Sequence, residues 1–213
     1  MHEVLHIPAL FSPPRDHLCR RVPSLKKTLG GKKALHEKFV LGRSKAFLER
    51  DQDLDLASFE FTYISNYSNW ISGREEYIDR ILATVNRKLL VLQFSDERYY
   101  DKLAYLKFIE GVLFGLKGCP SQAKCLFEEV ILMEDNIKED FHSPALAAYE
   151  LGMHYRRLGN VSAAKEWLKR SAGNYKNHFA EPLILFRTEM ALDSLKAMKN
   201  MKKDKCDIRE IRG

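Results

Sequence analysis

The stretch AYELGMHYRRLGNVSAAKEWL, residues 148–168, repeats a pattern that the chain has already used once. Gly152, Gly159, Ala164 and Leu168 each lie 41 positions after a counterpart, at Gly111, Gly118, Ala123 and Phe127. This order of residue types suits two helices that cross closely. A glycine at the crossing, Gly111 or Gly152, lets the backbones approach. Gly159 falls where the chain turns between the helices, and a positive φ costs glycine least. Phe127 and Leu168 are placed to fill the space between neighbouring hairpins. A unit of this kind cannot bury its apolar face alone, so copies are expected to stack.

Helical periodicity extends outward from this pair. Ile78, Leu82, Val85, Leu89 and Leu92 recur at three- and four-residue steps and form one stripe over 75–94. Further helices are expected at about 97–117, 120–134, 143–158, 161–175 and 180–199. The short gaps between them suit antiparallel neighbours. Upstream, 34–50 reads as a helix with Phe39, Val40, Ser44 and Phe47 on one face, ended by the charged run Asp51–Asp55. Residues 56–71 read as an aromatic helix with Phe59, Phe61, Tyr63, Tyr67 and Trp70, although such residues also suit strands. Pro23 and Gly30-Gly31 bracket a short basic segment of one or two helical turns. Residues 1–20, with Pro8, Pro13 and Pro14, read as an irregular or disordered lead. The expected organisation is thus a lead over 1–20, a helical domain over 21–198 with clear repeats at about 104–137 and 145–178, and a basic disordered tail over 199–213.

The paired residues match the tetratricopeptide template: small at its position 8, large at 11, Gly near 15, Ala at 20 and bulky at 24. Tyr155 and Phe114 supply the large residue. The spacing exceeds the usual 34 residues by about two helical turns, and the extra length lies in Leu132–His142. The expected fold is all-α, with tetratricopeptide-like antiparallel helical repeats stacked as a short solenoid. The stretch Ala148–Asn160, with Ala163-Ala164, Trp167-Leu168, Asn174–Asn177, Phe186-Arg187 and Ala191-Leu192, resembles the last repeat of the tetratricopeptide repeat protein 39 family, which includes the fungal inclusion body clearance proteins. Arg21-Val22-Pro23-Ser24-Leu25, Glu37-Lys38-Phe39 and Arg43 look like the opening of the same region. The resemblance covers roughly 20–198 and is closest to the A and B types. It implies a non-catalytic adaptor in protein turnover, lipid handling, inclusion clearance or cilium assembly. Members of the family are longer, with further helices in front. Met1–Cys19 match nothing in them, and the aromatic helix differs around Asn66–Trp70. A shortened product or an incomplete gene model would account for the difference in length.

Charge is uneven. Residues 15–50 hold eleven Lys or Arg against three Asp or Glu, 51–195 hold seventeen against twenty-two, and 196–213 hold seven against three. Basic ends would attract an anionic surface, nucleic acid or membrane. No base-stacking aromatic pattern accompanies the charge, so nucleic acid is not the expected partner. Four cysteines without zinc or redox spacing fit a reducing compartment, and the expected location is cytoplasmic. Met1–Phe11 does not read as a signal peptide, and no apolar run reaches the length of a membrane span. The seven histidines show no paired metal spacing. Leu29–Lys33 lacks the first Gly and the Ser or Thr of a phosphate loop, and no GxSxG stretch occurs. No catalytic residue, cofactor, metal or small-molecule substrate is therefore expected.

The expected partners are other proteins, held on the inner helices of the two repeats. The candidate contacts are Tyr105, Phe108 and Val112 in the first copy and Leu146, Tyr149, Met153, Arg156 and Arg157 in the second. Aromatics, Met and Arg are enriched at protein contacts. The same Tyr149, Phe108 and Val112 would serve as core if an adjacent helix covered them. Inner helices that clamp an acidic chaperone tail carry Lys and Asn, whereas Phe108, Val112, Tyr149 and Met153 stand here, which disfavours capture of an acidic peptide end.

Overall fold

A computed structural model of the chain describes residues 15–25, 28–29, 32–33, 37–50, 54–65, 71–96, 98–178 and 180–210. These residues are helical, with short turns and one small ribbon between helices. The chain divides into two compact units, Met1–Leu54 and Asp55–Gly213. The boundary falls at the end of the charged run Asp51–Asp55, inside the span read from sequence as one domain.

In the first unit, α1 (Arg15–Arg21) packs on α2 (Glu37–Arg50). Part of the lead expected to be irregular is therefore helix, and it begins directly after Pro14, a residue tolerated at a helix start. Residues 1–14 lie outside the described residues. The basic segment is not helical turns throughout. A 3-10 turn over Val22–Ser24 is followed by strands β1 (Thr28–Leu29) and β2 (Lys32–Lys33), paired antiparallel with Thr28 opposite Lys33. A Gly-Gly pair between two short runs is a hairpin signal, and the helical reading passed over it. In α2, Ser44 is buried, but Val40 is exposed; the side chain of Phe39 lies outside the described residues.

The second unit contains α3 (Ala57–Ile64), α4 (Glu75–Val91), α5 (Tyr99–Leu116), α6 (Pro120–Leu132), α7 (His142–Arg157), α8 (Val161–Gly173) and α9 (Glu181–Glu210). Helices α4 to α9 each pack on the next in sequence, and α7 also packs on both α5 and α9. Phe59 and Tyr63 of α3 are buried as its aromatic pattern suggests, while Phe61 is exposed; Tyr67 and Trp70 lie outside the described residues. Ile78 and Val85 of the α4 stripe are fully buried, joined by Ile81. The disorder expected for the tail gives way to helix through Glu210. Lys, Met, Ala and Glu after Leu195 are good helix formers, and no Pro or Gly interrupts them before Gly213.

The repeated glycines act as closely spaced helix contacts. A Cβ added to Gly111 would lie 2.7 Å from the ring of Phe127, and one added to Gly152 would lie 2.7 Å from Leu168 Cγ. Phe127 and Leu168 thus pack across their own hairpins, α5–α6 and α7–α8, and also reach the next helices: Leu168 joins Ala191 and Leu195 of α9 in one apolar cluster, and Phe127 shares a groove with α7. Both turns have one geometry. Gly118 and Gly159 have φ of +77° and +74°. Cys119 and Asn160 donate backbone bonds to Phe114 and Tyr155, five residues back, and the glycines donate to Gly115 and Arg156, three back. This is the Schellman ending, in which glycine in the left-handed region satisfies the last helical carbonyls.

The extra length between the hairpins is pinned rather than loose. A 3-10 turn, Glu134–Asn136, leads to the buried Ile137. The Asp101 carboxylate, 1 % exposed, then accepts from the backbone N–H groups of Lys138, Glu139 and Asp140 at 2.8–3.4 Å. Arg98 bridges Glu139 and Asp140, each at 3.2 Å. Farther along the chain, Glu134 accepts from Arg170 and from the Tyr175 hydroxyl, which ties the connector to the end of α8. Burial pushes the Tyr175 phenol up, and its bond to Glu134 adds to the shift.

Candidate functional site: an open groove walled by two hairpins

Helices α5, α6 and α7 enclose a groove of about 560 Å³, with α3 and α9 contributing residues to its floor. Gly111, Val112, Gly115 and Leu116 come from α5, and Ala123, Lys124 and Phe127 from α6. Tyr149, Glu150, Met153, His154 and Arg157 come from successive turns of α7. Spacing of three and four residues puts these five side chains on one helix face.

The floor is a polar cluster held inside apolar walls. Arg187 of α9 lies between two rings, its guanidinium carbon 4.7 Å from the centroid of Tyr63 and 4.5 Å from that of Tyr149. It donates to the backbone carbonyl of Tyr63 at 3.2 Å and lies 3.8 Å from the Glu150 carboxylate. The Tyr63 hydroxyl donates to the other side of the pairing, at Glu150 Oε1, at 2.6 Å. Burial pushes the Tyr63 phenol well up, and the neighbouring Glu150 adds to the shift. For Arg187 burial acts downward, but the surrounding Tyr63, Tyr149 and Glu150 outweigh it and raise the guanidinium. A buried cation is tolerated only when paired in this way.

The mouth is basic. Arg157 is exposed and makes no ion pair among the described residues. It occupies the last turn of α7, where a cation complements the helix dipole. Lys124 pairs with Glu128 one turn along α6 at 2.5 Å. His154 is half-buried between them, edge-on to Tyr155. Burial lowers its pKa, and the charges of Arg157 and Lys124 lower it further.

The groove gathers four of the eight residues expected at a partner surface: Val112, Tyr149, Met153 and Arg157. Exposure differs from that expectation. Phe108, Val112, Leu146 and Tyr149 are buried. Phe108 meets Tyr63 edge-on at 5.3 Å, so it is core. Leu146 is core too, because α7 has helices on several sides. Tyr105 is half-buried and donates to Glu60 at 3.2 Å. Arg156 donates to Ser194 of α9 at 2.7 Å and does not line the groove. Sequence reasoning does not single out Lys124, Glu150, His154 or Arg187 as contacts. The signal was there for Arg187: a cation directly after the apolar run Leu183–Phe186.

A second polar cluster is buried between α3 and α7. His142 Nε2 lies 3.2 Å from Glu60 and 3.5 Å from the Ser143 hydroxyl. In a nucleophile–base–acid chain, serine and carboxylate engage opposite ring nitrogens. Here both approach the same nitrogen, and Glu60, His142 and Ser143 are all fully buried. The cluster joins α3 to the start of α7 and offers no path for substrate. Among the described residues, no group of three or more His, Cys, Asp and Glu is placed to hold a metal, and no helix is long and apolar enough to cross a membrane. No family model and no solved structure matches the chain.

Proposed function

We propose that the chain is a non-catalytic protein-interaction adaptor of tetratricopeptide type, and that the groove between its two hairpins is where a partner lies. The observation that carries this reading is the open groove, lined by both helices of the first hairpin and the first helix of the second, in a pair of hairpins that repeat at 41 residues and share glycine-locked crossings and Schellman turns. A groove with apolar walls, fixed polar groups and a charged rim suits an extended segment of another protein. Protein turnover, lipid handling and inclusion clearance are the settings that the resemblance to the tetratricopeptide repeat protein 39 family suggests. A cytoplasmic location and reduced cysteines belong to the same reading.

Gly115 is the place from which to plug the groove. Gly115 is exposed on its wall, and a Cβ there meets only Ala123, at an ordinary 3.9 Å. Proximity labelling in cells should therefore compare the chain with Gly115→Trp. The proposal expects a defined set of neighbours that disappears when the groove is plugged. The same neighbours in both would move the site elsewhere, and a chain without neighbours would remove the adaptor reading.

A further inference from the structure

We propose that the groove takes an acidic peptide segment, with Arg157 and Lys124 at the mouth binding its carboxylates and the apolar walls holding a large apolar residue between them. This rests on the adaptor reading above and specifies the chemistry of its partner.

Charge complementarity selects this occupant. Of the groove's charged side chains, Lys124, Arg157 and Arg187 are cationic and Glu150 is anionic. Glu150 is already engaged by Arg187 and the Tyr63 hydroxyl at the floor. Lys124 shares Glu128, but Arg157 has no carboxylate among the described residues. The same field is felt by His154, whose proton is disfavoured by burial and then by Arg157 and Lys124. A positive field at a half-desolvated mouth is a site for anions. The first turn of α6 adds to it: Gly118 and Pro120 line the mouth, and no side chain caps that helix. The walls exclude a bare inorganic anion as the best fit. Leu116 and Met153 are half-buried on the walls, with the buried Val112 and Phe127 beside them, and offer apolar surface that an apolar side chain would cover.

The cations stand on α6 and in the last turn of α7, not at Phe108, Val112, Tyr149 and Met153, the positions whose lack of Lys and Asn disfavours an acidic ligand on sequence grounds. The arrangement also links binding to protons. The charged groups acting on His154 are Arg157 on its own helix and Lys124 and Glu128 on α6, with Glu150 and Arg187 deeper in the groove. In the free protein burial and the two cations disfavour the imidazolium. A carboxylate arriving beside it favours the imidazolium, so binding takes up a proton and tightens as pH falls.

The test is fluorescence polarisation with a blocked peptide carrying one leucine flanked on each side by two acidic residues. Its counterpart has lysine at the four acidic positions, and sodium phosphate serves as competitor. The acidic peptide should bind at low salt, weaken as salt rises, and resist phosphate at concentrations below those that screen generally. Arg157→Glu and Lys124→Gln should each weaken it about tenfold, the loss of one charge-assisted contact, with the helical signal and melting unchanged. Lowering pH from about 7.5 to about 6 should tighten binding to the parent but not to His154→Gln. Equal binding of the two peptides, no binding of either, or indifference to Arg157→Glu would overturn the proposal. Efficient displacement by phosphate would replace the peptide with a phosphate-bearing ligand, and a parent insensitive to pH would remove the role of His154. Cellular neighbours sensitive to Gly115→Trp but not to Arg157→Glu would refute the acidic partner alone; loss of the adaptor itself is read by the plugging experiment.

Discussion

The hairpins α5–α6 and α7–α8 share a frame and differ in how much surrounds it. Both cross at a glycine and end their first helix in a Schellman turn. Yet α7 is buried at every position from His142 to Tyr149, whereas α5 is buried in a broken pattern. The difference follows from neighbours: α7 has α5, α6, α8 and α9 against it, and α5 has α4, α6 and α7. A helix enclosed on several sides is selected for volume and for internal polar pairing rather than for a stripe. His142 with Glu60 and Glu150 with Arg187 are the polar pairs that this enclosure demands.

The largest expected effect tests the extra cover on the second hairpin. Arg187→Ala leaves Glu150 half-paired in a largely buried site that borders the groove, and losing one partner of such a pair costs about 3 kcal/mol, less than in a fully enclosed one. Urea unfolding should show the loss; a shift below that of an ordinary surface change would mean that α9 adds little to α7. The glycine locks come next. An added methyl at Gly152 meets the Leu168 backbone nitrogen at 3.1 Å as well as its side chain, whereas at Gly111 it meets only the Phe127 ring. Overpacking costs about 1–3 kcal/mol against a helix gain of about 0.5–1. Gly152→Ala should therefore destabilise more than Gly111→Ala, and equal midpoints would show that the two crossings are interchangeable.

Smaller effects separate the two turns. Asn160 caps α8 by accepting from the Ala163 N–H at 3.1 Å, while Cys119 at the matching place gives α6 no side-chain cap. Asn160→Ala should cost about 1 kcal/mol, and Cys119→Asn should add about 0.5–1. Thermal melting of the pair reads both, and no gain from the second would mean that Pro120 already fixes that start.

The hairpins were legible because their glycines are demanded by local geometry: a left-handed turn and a backbone crossing tolerate few other residues. Helix positions followed from periodicity and short gaps. The site was legible only in part. Val112, Tyr149, Met153 and Arg157 line one groove, but the exposure of Tyr149 and Val112 depended on neighbours that α7 and α5 acquire through tertiary packing. Lys124 and Arg187 come from helices distant in sequence, so no spacing links them to α7. The ribbon near Lys33 and the helix beyond Lys199 were missed for another reason: a Gly-Gly pair and good helix formers were outweighed by high charge.

The connector fastened to Asp101 bears on how the protein opens. The amides of Lys138, Glu139 and Asp140 lie outside any helix, yet each donates to one nearly inaccessible carboxylate on α5. Deuterium should replace their protons at the rate set by release of α5, not at the rate of a surface loop. The first hairpin then cannot fray without freeing the start of the second. The two would unzip as one cooperative block, and a partner seated across both would be released all at once instead of end by end.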